Sequence, residues 1–241
     1  MIRHCIVRDL GRMSYAEALS IQEGIAGERK LGLGADHLLF VEHSHVVTIG
    51  RNGRESNVLA SPALLREKGV QVHESDRGGD VTYHGPGQIV AYPVMDLREW
   101  KRDVGAFVRA IEQTLIDTLE EFGVQAFRIP KLTGVWTETE GGSAACQAKI
   151  AAIGVHLSRW VSTHGWALNV TTDLSYFDLI VPCGLTKPVT SMERLGVFAD
   201  PEDVKRALAR HFGRLFEFEM RGAEISGVEM SNSEMLTGAL R

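Results

Sequence analysis

The chain has 241 residues, 44% of them apolar and 24% charged, with a net charge of −5. That length suits one large domain or two small ones and is enough to bury a core. The acidic balance gives no support to nucleic-acid binding, no run approaches the roughly 18 apolar residues of a membrane span, and three cysteines without close spacing argue against a disulfide framework or a CxxC zinc site. Charges interrupt the first dozen residues where a signal peptide would need a hydrophobic centre, so a cytoplasmic location is expected.

Residues 14–30 read as a helix, with Ser14 as N-cap and Glu17 at the capping-box position. Cys5 falls in a first strand. Residues 36–42 and 46–49 read as short strands, 61–68 as a short helix with Pro62 at its first position, and 70–73 as a strand. Residues 88–95 are apolar and β-rich, which predicts a central strand. Val104, Phe107, Val108, Ile111, Leu115 and Leu119 recur at helical spacing over 103–122, and Gly123 ends that helix. Strands follow at 124–129 and 134–137, a loop at 141–145, and a hairpin at 149–157 and 162–170. The last helix covers 200–217, capped by Asp200 with Pro201 next. Short turns between strands predict an α+β fold, a mixed or mostly antiparallel sheet with helices packed on one face. Residues 1–221 form the expected domain, and the polar, weakly patterned 222–241 an expected flexible tail.

The most informative segment is 77–93. Gly78, Gly79, Gly85 and Gly87 sit among Arg77, Asp80, Val81, Thr82, Tyr83 and His84. A packing strand has no need of four glycines beside so many hydrogen-bonding groups, whereas glycine lets backbone approach a ligand closely. The segment reads as a binding wall. Downstream lie Lys149, opening an apolar strand, and Cys183, between Pro182 and Gly184. Wall, lysine and cysteine in that order suggest thiol-based acyl transfer. A turn can present the Cys183 thiol; a buried structural cysteine is the alternative. Lys149 is either a solvated strand end or a partner of the thiol. Charged, it stabilises a thiolate; neutral, it accepts a proton. Cys5 and Cys146 fit a structural role. His43 and His45 on one strand would point to one face and invite a zinc reading, but no helical HExxH or paired cysteines accompany them, so no metal is assigned. In residues 164–169, Gly165 and Ala167 would keep a pocket wall smooth for an acyl chain.

Together these segments resemble the octanoyl-[acyl-carrier-protein]:protein N-octanoyltransferases, the lipoate-protein ligase B family. The similarity runs from about Tyr15 to Leu195: Tyr15, Ala18 and Gln22 on the first helix, Glu42-His43 through Gly50-Arg51, residues 77–93, Gly134-Val135-Trp136, 149–154, 164–169 and Pro182-Cys183-Gly184. Ser44 and His45 stand where many relatives carry prolines. The resemblance implies the fold of the biotin- and lipoate-protein ligase catalytic domains. It implies Cys183 as acyl-thioester nucleophile, Lys149 as its activator, and an acyl site lined by residues 77–84, Ala152, Ile153, Gly154, Gly165, Trp166 and Ala167. It implies no cofactor. The implied partners are octanoyl-acyl carrier protein and the lipoyl domains of 2-oxoacid dehydrogenases and the glycine cleavage H protein, with no nucleic acid and no membrane. Backbone N–H groups at Gly78, Gly79 or Gly154 are the expected oxyanion donors. The competing readings are an ATP-dependent lipoate-protein ligase on the same fold, a non-catalytic carrier-binding module and a zinc-binding protein.

Overall fold

The computed structural model describes residues 3–139, 147–181 and 187–222. Cys146, Cys183 and the segment 223–241 lie outside the described residues, as does the expected loop at 141–145. Gly222, expected to open the tail, is the last residue of a strand.

The strands are β1 (Arg3–Met13), β2 (Asp36–His43), β3 (Val46–Ile49), β4 (Gln71–Glu74), β5 (Val81–His84), β6 (Gln88–Val94), β7 (Ala126–Ile129), β8 (Leu132–Glu138), β9 (Gln147–Ser158), β10 (Val161–Asn169) and β11 (Phe218–Gly222). The helices are α1 (Tyr15–Lys30), α2 (Pro62–Glu67), α3 (Val104–Glu121) and α4 (Pro201–Phe216). Their starts are set by local chemistry. Ser14 and Glu17 form the full capping box of α1. The Asp103 carboxylate accepts from Ala106 N–H at 2.8 Å to start α3, and Asp200 caps α4 ahead of Pro201.

An eight-stranded sheet runs in the order β11-β1-β2-β6-β10-β9-β8-β7. Its first two pairings, β11 with β1 and β1 with β2, are parallel, and the rest are antiparallel. The architecture is α+β, as the sequence predicts, and β6 is indeed internal. Helices pack on both faces of the sheet, not one. Strand alternation divides the core accordingly. Leu38, Phe40, Ile89 and Ala91 face α3 and α4 with Phe107, Ile111, Leu208 and Phe212. Leu39, Val41, Val90 and Tyr92 face α1 with Ala18 and Ala26. Within α3, Phe107, Ile111, Leu115 and Leu119 are buried, whereas Val104 stays exposed.

A second sheet, β4-β3-β5, stands apart. Val47, Val81 and Tyr83 pack beneath it against Phe177, Leu179 and Ile180. From this small sheet, Thr82 and His84 of β5 border the same cavity as residues of β6, β9 and β10. No helix among the described residues is long and apolar enough to cross a membrane.

Candidate active site

A cavity of about 350 Å³ opens on the α1 face of the large sheet. Its walls come from β5, β6, β9, β10, the start of β8 with Lys131 before it, the 77–80 loop, Asn52 and Tyr15 of α1. Of the residues expected to line a site, Arg77, Gly79, Asp80, Thr82, His84, Lys149, Ala152, Ile153, Gly154, Gly165, Trp166 and Ala167 all border it. Gly78, Val81 and Tyr83 do not. On β5 the side chains alternate: Thr82 and His84 point to the cavity, while Val81 and Tyr83 join the packing under the small sheet. The Tyr83 hydroxyl bonds His45 Nδ1 at 2.7 Å, and burial pushes its phenol up. Gly78 gives its N–H to the Val155 carbonyl at 2.9 Å, which fastens the loop to β9 and leaves Gly79 and Gly154 among the expected oxyanion donors.

Sequence reading missed Tyr15, Asn52, Val90, Tyr92, Lys131, Leu132, Thr133 and His164 as lining residues. Alternation along β6 was a usable signal for Val90 and Tyr92, because Ile89 and Ala91 belong to the opposite core.

Arg77 is buried beneath the loop. Its guanidinium donates to Thr48 Oγ1 at 3.0 Å, the Thr48 carbonyl at 2.6 Å, the Gly78 carbonyl at 3.0 Å and the Asp80 carbonyl at 2.7 Å. One planar fork thus ties β3 to the wall, which a lysine's point charge cannot do. We expect Arg77→Lys to lower unfolding free energy by about 3 kcal/mol, given roughly 1 kcal/mol for each buried bond lost. Denaturant midpoints check this; an unchanged midpoint would show that the clamp contributes nothing.

The polar end of the cavity is a set of rings held neutral. His84 Nδ1 lies 2.8 Å from Gln88 Oε1, and the Gln88 amide nitrogen donates to the Tyr83 carbonyl and Asn169 Oδ1. This fixes the tautomer: Nδ1 carries the proton and Nε2 is a lone pair. Burial, reinforced by His43, brings the His84 pKa down to about 3. His43 donates from Nδ1 to the Met13 carbonyl at 3.1 Å and accepts at Nε2 from the Tyr92 hydroxyl at 2.7 Å. Burial lowers its pKa to about 4. His43 and His45 therefore face different neighbours, and among the described residues no three His, Cys, Asp or Glu side chains are placed to hold a metal.

His164 sits in β10 with φ +56°, a left-handed conformation unusual inside a strand. The kink turns its N–H to Gln22 Oε1 at 2.7 Å, a bond from α1 that holds the wall in register. Its Nε2–H donates to Asp76 Oδ1 at 2.6 Å. Gly165 beside it is small for a reason other than a smooth wall: a Cβ there would lie 2.1 Å from the Ala91 carbonyl oxygen.

These histidines predict a pH dependence. Their folded pKa values lie below the unfolded value near 6.5, so the unfolded state binds more protons on acidification. Stability from His43 and His84 is complete above about pH 6.5 and falls below it, by about 1.4 kcal/mol per pH unit for each group. His164 shifts in the same direction, through burial. Denaturant midpoints at about pH 6.5 and 5, where carboxylates barely titrate, measure this. Equal stability at both would refute the neutral cluster.

Lys149 borders the same cavity. Its stem fits because Gly134, at φ +124°, carries no Cβ; one built there would lie 3.3 Å from Lys149 Cε and 2.8 Å from the Ala151 carbonyl oxygen. Its Nζ stands 4.8 Å from the Trp136 ring centroid. Its backbone bonds a returning segment: Lys149 N–H donates to the Pro188 carbonyl and Thr190 N–H to the Lys149 carbonyl, both at 2.9 Å. A smaller cleft of about 20 Å³ shares Thr82, Lys149, Ala152 and Ala167 and is bordered by Trp136, Phe177, Lys187 and Val189. Cys5, by contrast, is buried in β1, and burial pushes its thiol far up.

This geometry accompanies clear relationships. The lipoyl protein ligase A/B catalytic domain profile matches residues 14–213. The chain belongs to that family. Within the family, it is 60% identical over 219 residues to an octanoyltransferase of Solibacter usitatus, covering 91% of this chain and 96% of that protein. It is 49% identical to an octanoyltransferase of Koribacter versatilis, over 88% of this chain and 84% of that one. The lipoyl protein ligase fold is shared more distantly. The lipoate protein ligase of a bipartite system from Thermoplasma acidophilum superposes with a TM-score of 0.68 at 16% identity, over 93% and 88% of the two chains. A lipoate-protein ligase A bound with ATP gives 0.63 at 15% identity, over 93% and 90%.

Proposed function

We propose that the protein moves an octanoyl group from octanoyl-acyl carrier protein to a lysine of a lipoyl domain through a thioester on Cys183. Octanoyl transfer in protein lipoylation follows from the family and its octanoyltransferase relatives, and the chain is an acyltransferase. The observation that carries the mechanism is the place of Lys149. It borders both the cavity and the cleft, and it pairs with residues 188–190 directly after the segment that holds Cys183. Val181 N–H, two residues before the cysteine, is fixed to the Asn57 carbonyl at 2.7 Å.

The chemistry balances without a nucleotide. Cys183 thiolate attacks the carrier thioester carbonyl, a new C–S bond forms, and the pantetheine C–S bond breaks. Lys149 returns a proton to the departing thiol. An acceptor lysine then attacks the enzyme thioester, the amide forms, the Cys183 thiolate leaves, and Lys149 accepts the amine's proton. Exchanging thioesters is near thermoneutral, and amide formation drives the cycle. Backbone N–H groups of Gly79 and Gly154 are candidates for the oxyanion, each worth roughly 3 kcal/mol. The octanoyl chain occupies the 350 Å³ cavity between Lys149 and the histidine end. The acceptors are lipoyl domains of 2-oxoacid dehydrogenases and the glycine cleavage H protein.

The test is octanoylation of a purified lipoyl domain with each donor separately. Octanoyl-acyl carrier protein should suffice without ATP or magnesium, and free octanoate with ATP should give no product. Strict dependence on ATP would make the protein a ligase.

A further inference from the structure

Trp136 carries two lysines on one buried ring. Lys149 Nζ is 4.8 Å and Lys187 Nζ 6.0 Å from its centroid. The backbone makes this pairing specific to the fold. Lys149 bridges Val189 in parallel. Two residues earlier on each segment, Gln147 comes opposite Lys187, and the Lys187 ammonium donates to Gln147 Oε1 at 3.2 Å. Side chains two apart share a face, so Lys187 and Lys149 are held on the same side of Trp136's strand neighbourhood. The Trp136 indole is itself fixed, donating from Nε1 to the Leu132 carbonyl at 3.2 Å.

We propose that Lys187 is a positioning residue for the transfer: its ammonium, held by Gln147 on the ring it shares with Lys149, disfavours a second positive charge there and keeps the neutral, proton-accepting Lys149 amine populated. The reading rests on Lys149 as proton acceptor in the function proposed above.

The physics has two opposing parts. An indole face attracts an ammonium, so Trp136 alone would hold Lys149 charged. A like charge nearby does the reverse, as in other sites where a lysine serves as a base at neutral pH. Other groups face the same space. Arg77 and Lys131 border the main cavity as cations and push in the same direction as Lys187. Asp80 is the carboxylate on that wall, and its oxygens are taken by Asn57 Nδ2 at 2.7 Å and Val81 N–H at 2.8 Å. His84 and His164 are neutral rings there, and the Tyr15 and Tyr92 phenols are pushed up by burial, so none adds charge at neutral pH. Lys187 is the cation that shares the Trp136 ring with Lys149.

Trace acetylation of the intact protein across about pH 6 to 11, a range that brackets an ordinary lysine, reads the Lys149 titration directly by peptide mass spectrometry and needs no turnover. In Lys187→Gln the Lys149 midpoint should rise by about one pH unit, a tenfold loss of neutral amine at a given pH. Lys187→Arg should keep the wild-type midpoint. The acid limb of kcat/KM for octanoyl transfer should move up with the midpoint. An unchanged Lys149 midpoint in Lys187→Gln overturns the proposal, and so does an equal shift in Lys187→Arg. A raised KM for the carrier with both midpoints unchanged makes Lys187 a docking cation and also overturns it. A shifted labelling midpoint with an unshifted rate profile supports the tuning and overturns instead the assignment of Lys149 as proton acceptor.

Discussion

Lys149→Arg loses octanoyl transfer by a factor of roughly 100 or more, although the positive charge is kept. Arginine cannot give up its proton in a protein, so it can stabilise a thiolate but cannot accept a proton from the incoming amine. The acceptor lysine is mostly protonated at neutral pH, with an ordinary pKa near ~10.4, so that second step depends most on a base. Single-turnover measurement separates the stages. The acyl-enzyme should still form, and its passage to the lipoyl domain should slow. The pocket also matters, because Gly134 leaves space for an unbranched stem and Trp136 bounds its tip. A circular-dichroism melt of the variant shows whether the fold is intact. Amide transfer at near wild-type rate would exclude base catalysis by Lys149.

Cys183→Ala should stop transfer more completely. Removing the nucleophile removes the covalent route, and an apolar methyl cannot take over any part of it. Cys5 cannot substitute, since it is buried in β1 and its thiol is held protonated. Cys146→Ala should leave transfer intact. Substantial transfer by Cys183→Ala would mean direct attack of the acceptor lysine on the carrier thioester, and the ping-pong scheme would fail.

Much of this was legible in the chain because the signals are local. The Ser14 capping box, the Asp103 and Asp200 caps, and the apolar spacing of α3 each lie within a few turns of sequence. The β11–β1 edge pairing was not legible. The β11 strand is five residues long, only Phe218 is buried, and its partner β1 lies some two hundred residues away in sequence. Helices on both faces were not expected from the sequence; the structure shows them through alternation along β2 and β6, where consecutive residues serve different cores. The glycine-rich segment read as one wall, yet a period of two divides it: Thr82 and His84 meet the cavity, and Val81 and Tyr83 meet Phe177 and Leu179. Arg77 was expected to bind substrate; the structure shows four of its hydrogen bonds spent on the wall itself. The closeness of Lys187 to Lys149 depends on the parallel bridge at Val189, which no spacing rule reveals.

The central claim is a thioester on Cys183, and intact-protein mass spectrometry tests it most directly. After mixing with octanoyl-acyl carrier protein, without ATP and without acceptor, the protein should gain the mass of one octanoyl group. Hydroxylamine should remove it, peptide mapping should place it on Cys183, and adding a lipoyl domain should discharge it. An adduct that persists in Cys183→Ala, or a wild-type protein that transfers octanoyl while never carrying it, would contradict the account.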